Sequence, residues 1–230
     1  MKLGIMQPYF FPYIGYFQLV KAVDKFVFLD DVNYINRGWI NRNRILLNGQ
    51  AHYISVHQKS ASQNKHINEI EILDNRDKLK KTLLSAYSRA PYFREVWSLM
   101  EDVLGFETNS ISELAEYSVT QTCKYLDINT EFERSSQKYS QTVGLKKEKR
   151  LIAICNINNT REYINPIGGL ELYDKKTFLE NSINLFFLKP SSINYNQFNN
   201  TFVENLSIVD VIMFNSSERV RAMLDFYELL

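Results

Sequence analysis

The sequence predicts an α/β protein: a Rossmann-like, mostly parallel sheet that starts with an N-terminal βαβ unit, plus a helical C-terminal half. Three observations carry this. An apolar run at Leu3–Met6, helical spacing from Tyr13 to Val23 and a second apolar run at Lys25–Leu29 follow one another within thirty residues. Strand, helix and strand at that spacing imply a parallel pair joined by a right-handed crossover. From Asp77 to Leu104 apolar side chains recur three and four apart, the helical period. Gly (8) and Pro (5) are scarce while 45% of residues are hydrophobic, which argues against disorder and against a turn-rich sandwich.

Taken in order, Leu3–Met6 reads as a short buried strand, and Pro8 and Pro12 bracket the turn after it. Ile14, Phe17, Leu19 and Val20 give the next segment its helical stripe. Ile45–Leu47 and Tyr53–Val56 flank Asn48-Gly49, the strongest short hairpin signal. Glu69–Leu73 alternates as a strand. Leu79, Leu83, Leu84 and Tyr87 mark one helix and Val96, Leu99, Met100 and Val103 another, with Pro91 dividing them. Ser110-Ile-Ser-Glu113 resembles a capping box opening a helix through Leu126. Lys146–Ile157 is amphipathic; Glu162–Ile164 and Asn184–Leu188 read as strands, Thr177–Asn181 as a short helix and Val220–Tyr227 as a terminal helix. A single α/β domain over residues 1–230, with a helical insertion at residues 77–127, is expected.

A net charge of +1 predicts no field strong enough to coat nucleic acid. The two cysteines, Cys123 and Cys155, show no pairing pattern, and a reducing, cytoplasmic compartment fits them. The apolar stretch Tyr9–Val20 is interrupted by Pro12, Gly15 and Gln18, so neither a signal peptide nor a membrane span is expected.

Ligands of parallel sheets bind beyond the carboxyl ends of the strands. That rule places Gln7 and Asp30–Asp31 on one rim, from which the segment DDVNYINRGWINRNRI (30–45) leads off as an Arg-rich loop. Arg37, Arg42 and Arg44 offer guanidinium forks suited to phosphate or carboxylate. Trp39 offers a stacking face, and Asn41 and Asn43 interleave with the arginines. A solvated, salt-bridged loop is the bland alternative. His52 and His66 read as solvent-facing, while His57 ends a strand and could reach the rim. No His or Cys spacing resembles a metal site, and no phosphate-binding glycine loop is present. Gly168-Gly169 follows Asn165-Pro166 as a loop, so Tyr173 could point into the same cleft; Tyr195 and Gln197 fall at another rim position. Asp210 is embedded among apolar neighbours in LSIVDVIMFNS and needs a partner there, with an arginine or a purely bracing role both open.

Four segments, MQPYFFPYIGYFQLV (6–20), DDVNYINRGWINRNRI (30–45), NPIGGLELYDKKTF (165–178) and LSIVDVIMFNS (206–216), together resemble the WbqC family over essentially the whole chain. The resemblance points to Gln7, Tyr13, Gly15, Asp30, Asp31, Arg37, Trp39, Asn41, Arg42, Asn43, Gly168, Gly169, Tyr173 and Asp210. It implies a place in O-antigen, lipopolysaccharide and other surface-polysaccharide biosynthesis. A glycine-transferase label on some related proteins implies acyl or aminoacyl transfer onto an amino sugar. Arg37, Arg42 and Arg44 would then hold the phosphates of a nucleotide-linked sugar, Trp39 would stack on a ring, and Asp31 or Asp30 would accept the amine proton. The partners expected are that sugar and an acyl or aminoacyl donor, with no metal, no cofactor, no membrane insertion, and homodimers within reach of the aromatic surface.

Two alternatives stay open. Strand, Pro8-x-x-x-Pro12-x-x-Gly15, helix and a strand ending at Asp30 also resemble nucleotidylyltransferase-like folds, although Tyr16 and Phe17 stand where those carry histidine. A non-catalytic scaffold of a glycan pathway is the other.

Overall fold

The parallel pair expected at the N-terminus forms. Strands β1 (Lys2–Met6) and β2 (Lys25–Phe28) align Leu3 with Lys25 and Met6 with Phe28, and helix α1 (Ile14–Lys21) crosses between them. These features belong to a computed structural model that describes residues 1–198 and 201–230. A hairpin follows, β3 (Arg42–Leu47) against β4 (Gln50–Ser55). It turns on Asn48 and Gly49, whose φ angles of 53° and 76° are the left-handed pair that a two-residue type I′ turn requires. β5 (His57–Lys59) and β6 (Glu71–Leu73) make a second small ribbon. Three helices come next, α2 (Arg76–Tyr87), α3 (Phe93–Gly105) and α4 (Ile111–Tyr125). Ser110 caps the last by accepting from the Glu113 N–H. The chain then returns to the main sheet as β7 (Glu131–Arg134) and continues through α5 (Ser135–Lys138), α6 (Glu148–Ile157), β8 (Glu162–Pro166) and α7 (Lys175–Leu179). It closes with β9 (Asn184–Pro190), α8 (Ile208–Phe214), α9 (Ser217–Met223) and β10 (Tyr227–Leu229).

The six-stranded sheet runs β10-β9-β8-β1-β2-β7, parallel except for β10, which pairs antiparallel with β9. The chain lays β2 and β7 to one side of β1 and β8, β9 and β10 to the other, so the order reverses between β1 and β8. Phe26, Phe28, Ile164 and Leu188 face a large core shared with α1 to α4 and α8. Leu3, Ile5, Val27, Tyr163, Leu185 and Phe187 face a second core with α6 and α7. Burial on both faces is why these strands read as unbroken apolar runs rather than as alternation.

Two expectations need correction. The C-terminal half carries helices α5 to α9, and it also supplies β7 and β10 beyond the two strands expected at Glu162–Ile164 and Asn184–Leu188. The sequence EFER of β7 has one aromatic among charges, and its pairing with β2 rather than its own pattern makes it a strand. The terminal helix ends at Met223, and Tyr227 opens β10 instead.

Candidate functional site

At the reversal between β1 and β8 the carboxyl edge opens into a cleft of about 550 Å³, within the range on the order of 300–1,000 Å³ usual for small-ligand sites. Tyr9, Pro12 and Tyr13 enter from the β1–α1 link and Ile14 from the start of α1, Ile167 follows β8, Pro190 ends β9, and Ser191 to Ile193 and Tyr195 follow it. Trp39, Asn43 and Arg44 enter from the hairpin, and Phe202, Glu204, Asn205, Leu206 and Val211 close the far side.

Hydrogen bonds hold the hairpin to this edge. The Asn43 amide donates to the carbonyls of Phe10 (3.2 Å) and Phe11 (2.8 Å), and its oxygen accepts from the Arg44 N–H. The Phe10 N–H donates to the Trp39 carbonyl. Ser207 closes the other side, its hydroxyl donating to the Phe11 carbonyl and its N–H to the Arg44 carbonyl. Gly15 keeps the entrance shaped. A Cβ there would come within 2.4 Å of the Tyr13 ring and 2.9 Å of Pro190, and both of these line the cleft.

Arg44 is the charged centre. Its Nη2 donates to the Asn205 carbonyl at 2.9 Å, while its buried Nε has no partner among the described residues. Among the described residues no carboxylate lies within ion-pair distance of Arg37, Arg42 or Arg44, although other arginines are paired. A buried donor without an acceptor costs about 1–3 kcal/mol, so Arg44 is held here at some expense. Beside it, Trp39 stacks on Tyr53 with centroids 6.3 Å apart, and the guanidiniums of Arg42 and Arg44 lie 6.0 and 5.9 Å from the Trp39 ring. Arg42 also covers Tyr53 at 4.7 Å and donates to the carbonyls of Gly38 and Arg37. Arg42 therefore secures the aromatic shelf, while Arg37, in the left-handed region at φ 59°, stays exposed on the turn. Arg42, Asn43 and Arg44 belong to β3 rather than to a loop.

The carboxylates expected as bases lie elsewhere. Asp30 accepts from the Ser135 and Ser136 hydroxyls and the Ser136 N–H at 2.6–3.0 Å. Asp31 is clamped by Arg150 Nη2 at 2.7 and 2.6 Å and also accepts from Ser135. Both are buried and neither lines the cleft. Held by these donors, they tie β2 to the β7–α5 junction and to α6, away from the residues that line the cleft. Nearby, Glu116 of α4 bonds Ser112 and Arg134, and burial outweighs the Arg134 attraction, raising its carboxyl to about 7.

Of the other expected residues, Tyr13, Trp39, Asn43 and Arg44 meet in the cleft. Gln7 lies just past β1, where its carbonyl accepts from Tyr16. Asn41 bridges Tyr34 and the Val56 carbonyl. Gly168 has open space around it, whereas a Cβ on Gly169 would meet the Asn165 side chain at 2.0 Å and Tyr173 at 3.1 Å. These glycines and Tyr173 therefore shape the turn behind Ile167 rather than the cleft wall. His57 is exposed at the start of β5. Asp210 has no arginine partner: Tyr87 and Tyr195 hydroxyls and the Gln197 amide donate to it at 2.7–2.8 Å. Tyr9, Ser191 and Glu204 were not expected. Tyr9 and Ser191 each follow the end of a parallel strand, the one signal that could have marked them.

Among the described residues no group of three or more His, Cys, Asp or Glu side chains is placed to hold a metal, and no helix is long and apolar enough to cross a membrane. No solved structure matches the chain. It is 29% identical over 220 residues, 93% of each chain, to an uncharacterized protein of Mycobacterium tuberculosis. The model of the WbqC-like protein family matches residues 7–222, nearly the full length. The chain belongs to the WbqC-like protein family.

Proposed function

We propose that the cleft binds a nucleotide-linked amino sugar and that the protein serves surface-glycan biosynthesis, transferring an acyl or aminoacyl group, glycyl included, to the sugar amine. The observation that carries this is Arg44, an uncompensated guanidinium with a buried, partnerless Nε beneath an aromatic shelf. Three features support it. Numbered along the chain, the sheet strands follow the order 3-2-1-4-5-6, which we read as Rossmann-like; such sheets take nucleotides at the reversal. Helix α1 opens onto the cleft with Tyr13 as its N-cap and no side-chain cap hydrogen bond, leaving N–H groups for phosphate oxygens. The aromatic rings of Tyr9, Tyr13 and Trp39 suit a base or pyranose face. Family membership supplies the glycan context.

In this scheme Arg44 and the α1 N-terminus hold phosphate, Trp39 borders the ring and Arg37 adds positive charge at the mouth. Neither Asp30 nor Asp31 takes the amine proton, because both are buried away from the residues that line the cleft. The same strand order favours one second reading, a nucleotidyltransferase-like enzyme.

A thermal-shift panel separates the two. Ligands bound only by the folded state stabilise it by mass action, by about 2.7 kcal/mol at a hundredfold excess over Kd, and so raise the melting temperature. A shift with nucleotide-linked amino sugars, lost in Arg44→Met, is expected. A shift confined to nucleoside triphosphates with magnesium favours the second reading. No shift with these or with coenzyme A thioesters overturns both.

A further inference from the structure

We propose that Tyr195 and Asp210 are the proton-accepting pair of this cleft, Tyr195 touching the substrate amine and Asp210 acting through it as a positioning residue. This rests on the transfer reading above. Tyr195 lines the cleft, and its hydroxyl donates to Asp210 Oδ1 at 2.7 Å. With that proton committed and Gln197 Nε2 donating to the phenol oxygen only at a long 3.4 Å, a lone pair remains for a donor such as an amine N–H.

Asp210 is 0% exposed, in the first turn of α8, directly behind the wall formed by Tyr195 and Val211. It accepts from Tyr87 at 2.8 Å and from Gln197 at 2.7 Å. Tyr87, from α2, is itself fixed by the Leu46 N–H of β3 at 3.0 Å. Among the described residues no cation pairs with Asp210, so its charge is balanced by dipoles alone. That is an expensive arrangement for a brace, since an apolar side chain would fill the space without a buried charge. Burial accordingly holds the Asp210 carboxyl above the usual carboxylate range, which makes it a stronger proton acceptor than a surface Asp. Gln197 locks the same site to the following segment through both the N–H and the carbonyl of Val203.

The step balances without a co-reactant other than the acyl donor, an activated ester or thioester. The amine nitrogen forms a bond to the acyl carbon while its proton passes to Tyr195 Oη and the Tyr195 proton passes to Asp210. The tetrahedral carbon then collapses, the bond to the donor's oxygen or sulfur breaks, and the leaving group takes the proton back along the same path.

The test uses Tyr195→Phe, Asp210→Asn and the double variant in the full chain. Affinity for uridine diphosphate glucosamine is measured by calorimetry, and amide formation from it with acetyl and glycyl thioesters and esters is followed. Each single variant is expected to keep affinity within about twofold and to lose turnover by about a hundredfold or more. The double variant is expected to be no slower than the slower single, as for groups that act as one unit. Near-normal turnover in Tyr195→Phe, or losses that multiply in the double variant, overturns the pair. Sugar binding without turnover in the unmodified protein overturns the pair and the transfer chemistry while leaving the ligand site standing; no binding removes the ligand reading as well. Should Asp210→Asn fail to fold, Tyr195→Phe, which keeps the ring and removes only the hydroxyl, decides alone.

Discussion

Arg150 and Arg44 lie at the same carboxyl edge of one sheet, and their surroundings are opposite. Arg150 is 7% exposed, places Nη2 on both oxygens of Asp31 and gives its Nε to Thr142 at 3.2 Å. Arg44 borders an open cleft, has no carboxylate partner among the described residues and leaves its Nε unsatisfied. The first guanidinium is fully paired within the fold, whereas the second keeps a donor uncommitted. Hydrogen-bond partners, rather than charge or position after a strand, separate the two arginines.

Breaking the brace should have the largest effect. Arg150→Met leaves Asp31 buried without its cation, and a broken buried pair costs about 3–5 kcal/mol. Urea unfolding should show that loss, and a loss under about 1 kcal/mol would mean that Asp31 is solvated and free for chemistry. Next comes Glu116, on the same side. Its carboxyl sits at about 7 in the folded chain against 4.5 ordinarily, so the folded state holds the extra proton between those values. Stability is therefore fully present near pH 4.5 and declines as pH rises through 7, the reverse of an ordinary paired carboxylate. Relative to Glu116→Gln, the unmodified protein should lose up to about 3 kcal/mol between pH 4.5 and pH 8; parallel stability curves would show that Arg134 fully offsets the burial.

On the cleft side the effects on folding shrink and those on binding grow. Gly15→Ala pushes a methyl against Tyr13 and Pro190, and overpacking of that kind costs about 1–3 kcal/mol. Because both neighbours line the cleft, ligand affinity should fall as well, and unchanged affinity would show that the entrance tolerates reshaping. Arg44→Met loses the Asn205 hydrogen bond and removes a buried unpaired donor, effects of opposite sign and about 1 kcal/mol each, so the net change in folding stability should stay within about 1 kcal/mol.

Much of this architecture was legible in the residues. KLGIM and KFVF around a helical stripe gave the parallel pair, Asn48-Gly49 gave the hairpin, and Pro91 gave the break between α2 and α3. Trp39 and Arg44 stand out in the composition of their segment, and the fold brings both to the cleft. What was hidden depends on tertiary partners. Asp31 looks like a free rim carboxylate until Arg150, 119 positions away, closes on it. Tyr195 and Asp210 are brought together by the fold and share no local pattern. The short strand EFER takes its conformation from β2, and no property of its own four residues announces it.

The most direct test of the claim that Arg44 marks the ligand site is a calorimetric titration of uridine diphosphate glucosamine into the unmodified protein, Arg44→Met and Asp30→Asn. Charge-assisted contacts are worth about 1.5–3 kcal/mol, so Arg44→Met should weaken binding by roughly tenfold to a hundredfold with little change in melting temperature. Asp30→Asn should bind as the unmodified protein does. Equal affinity for the unmodified protein and Arg44→Met, with the loss falling on Asp30→Asn, would contradict the account and move the site to the braced end of the edge.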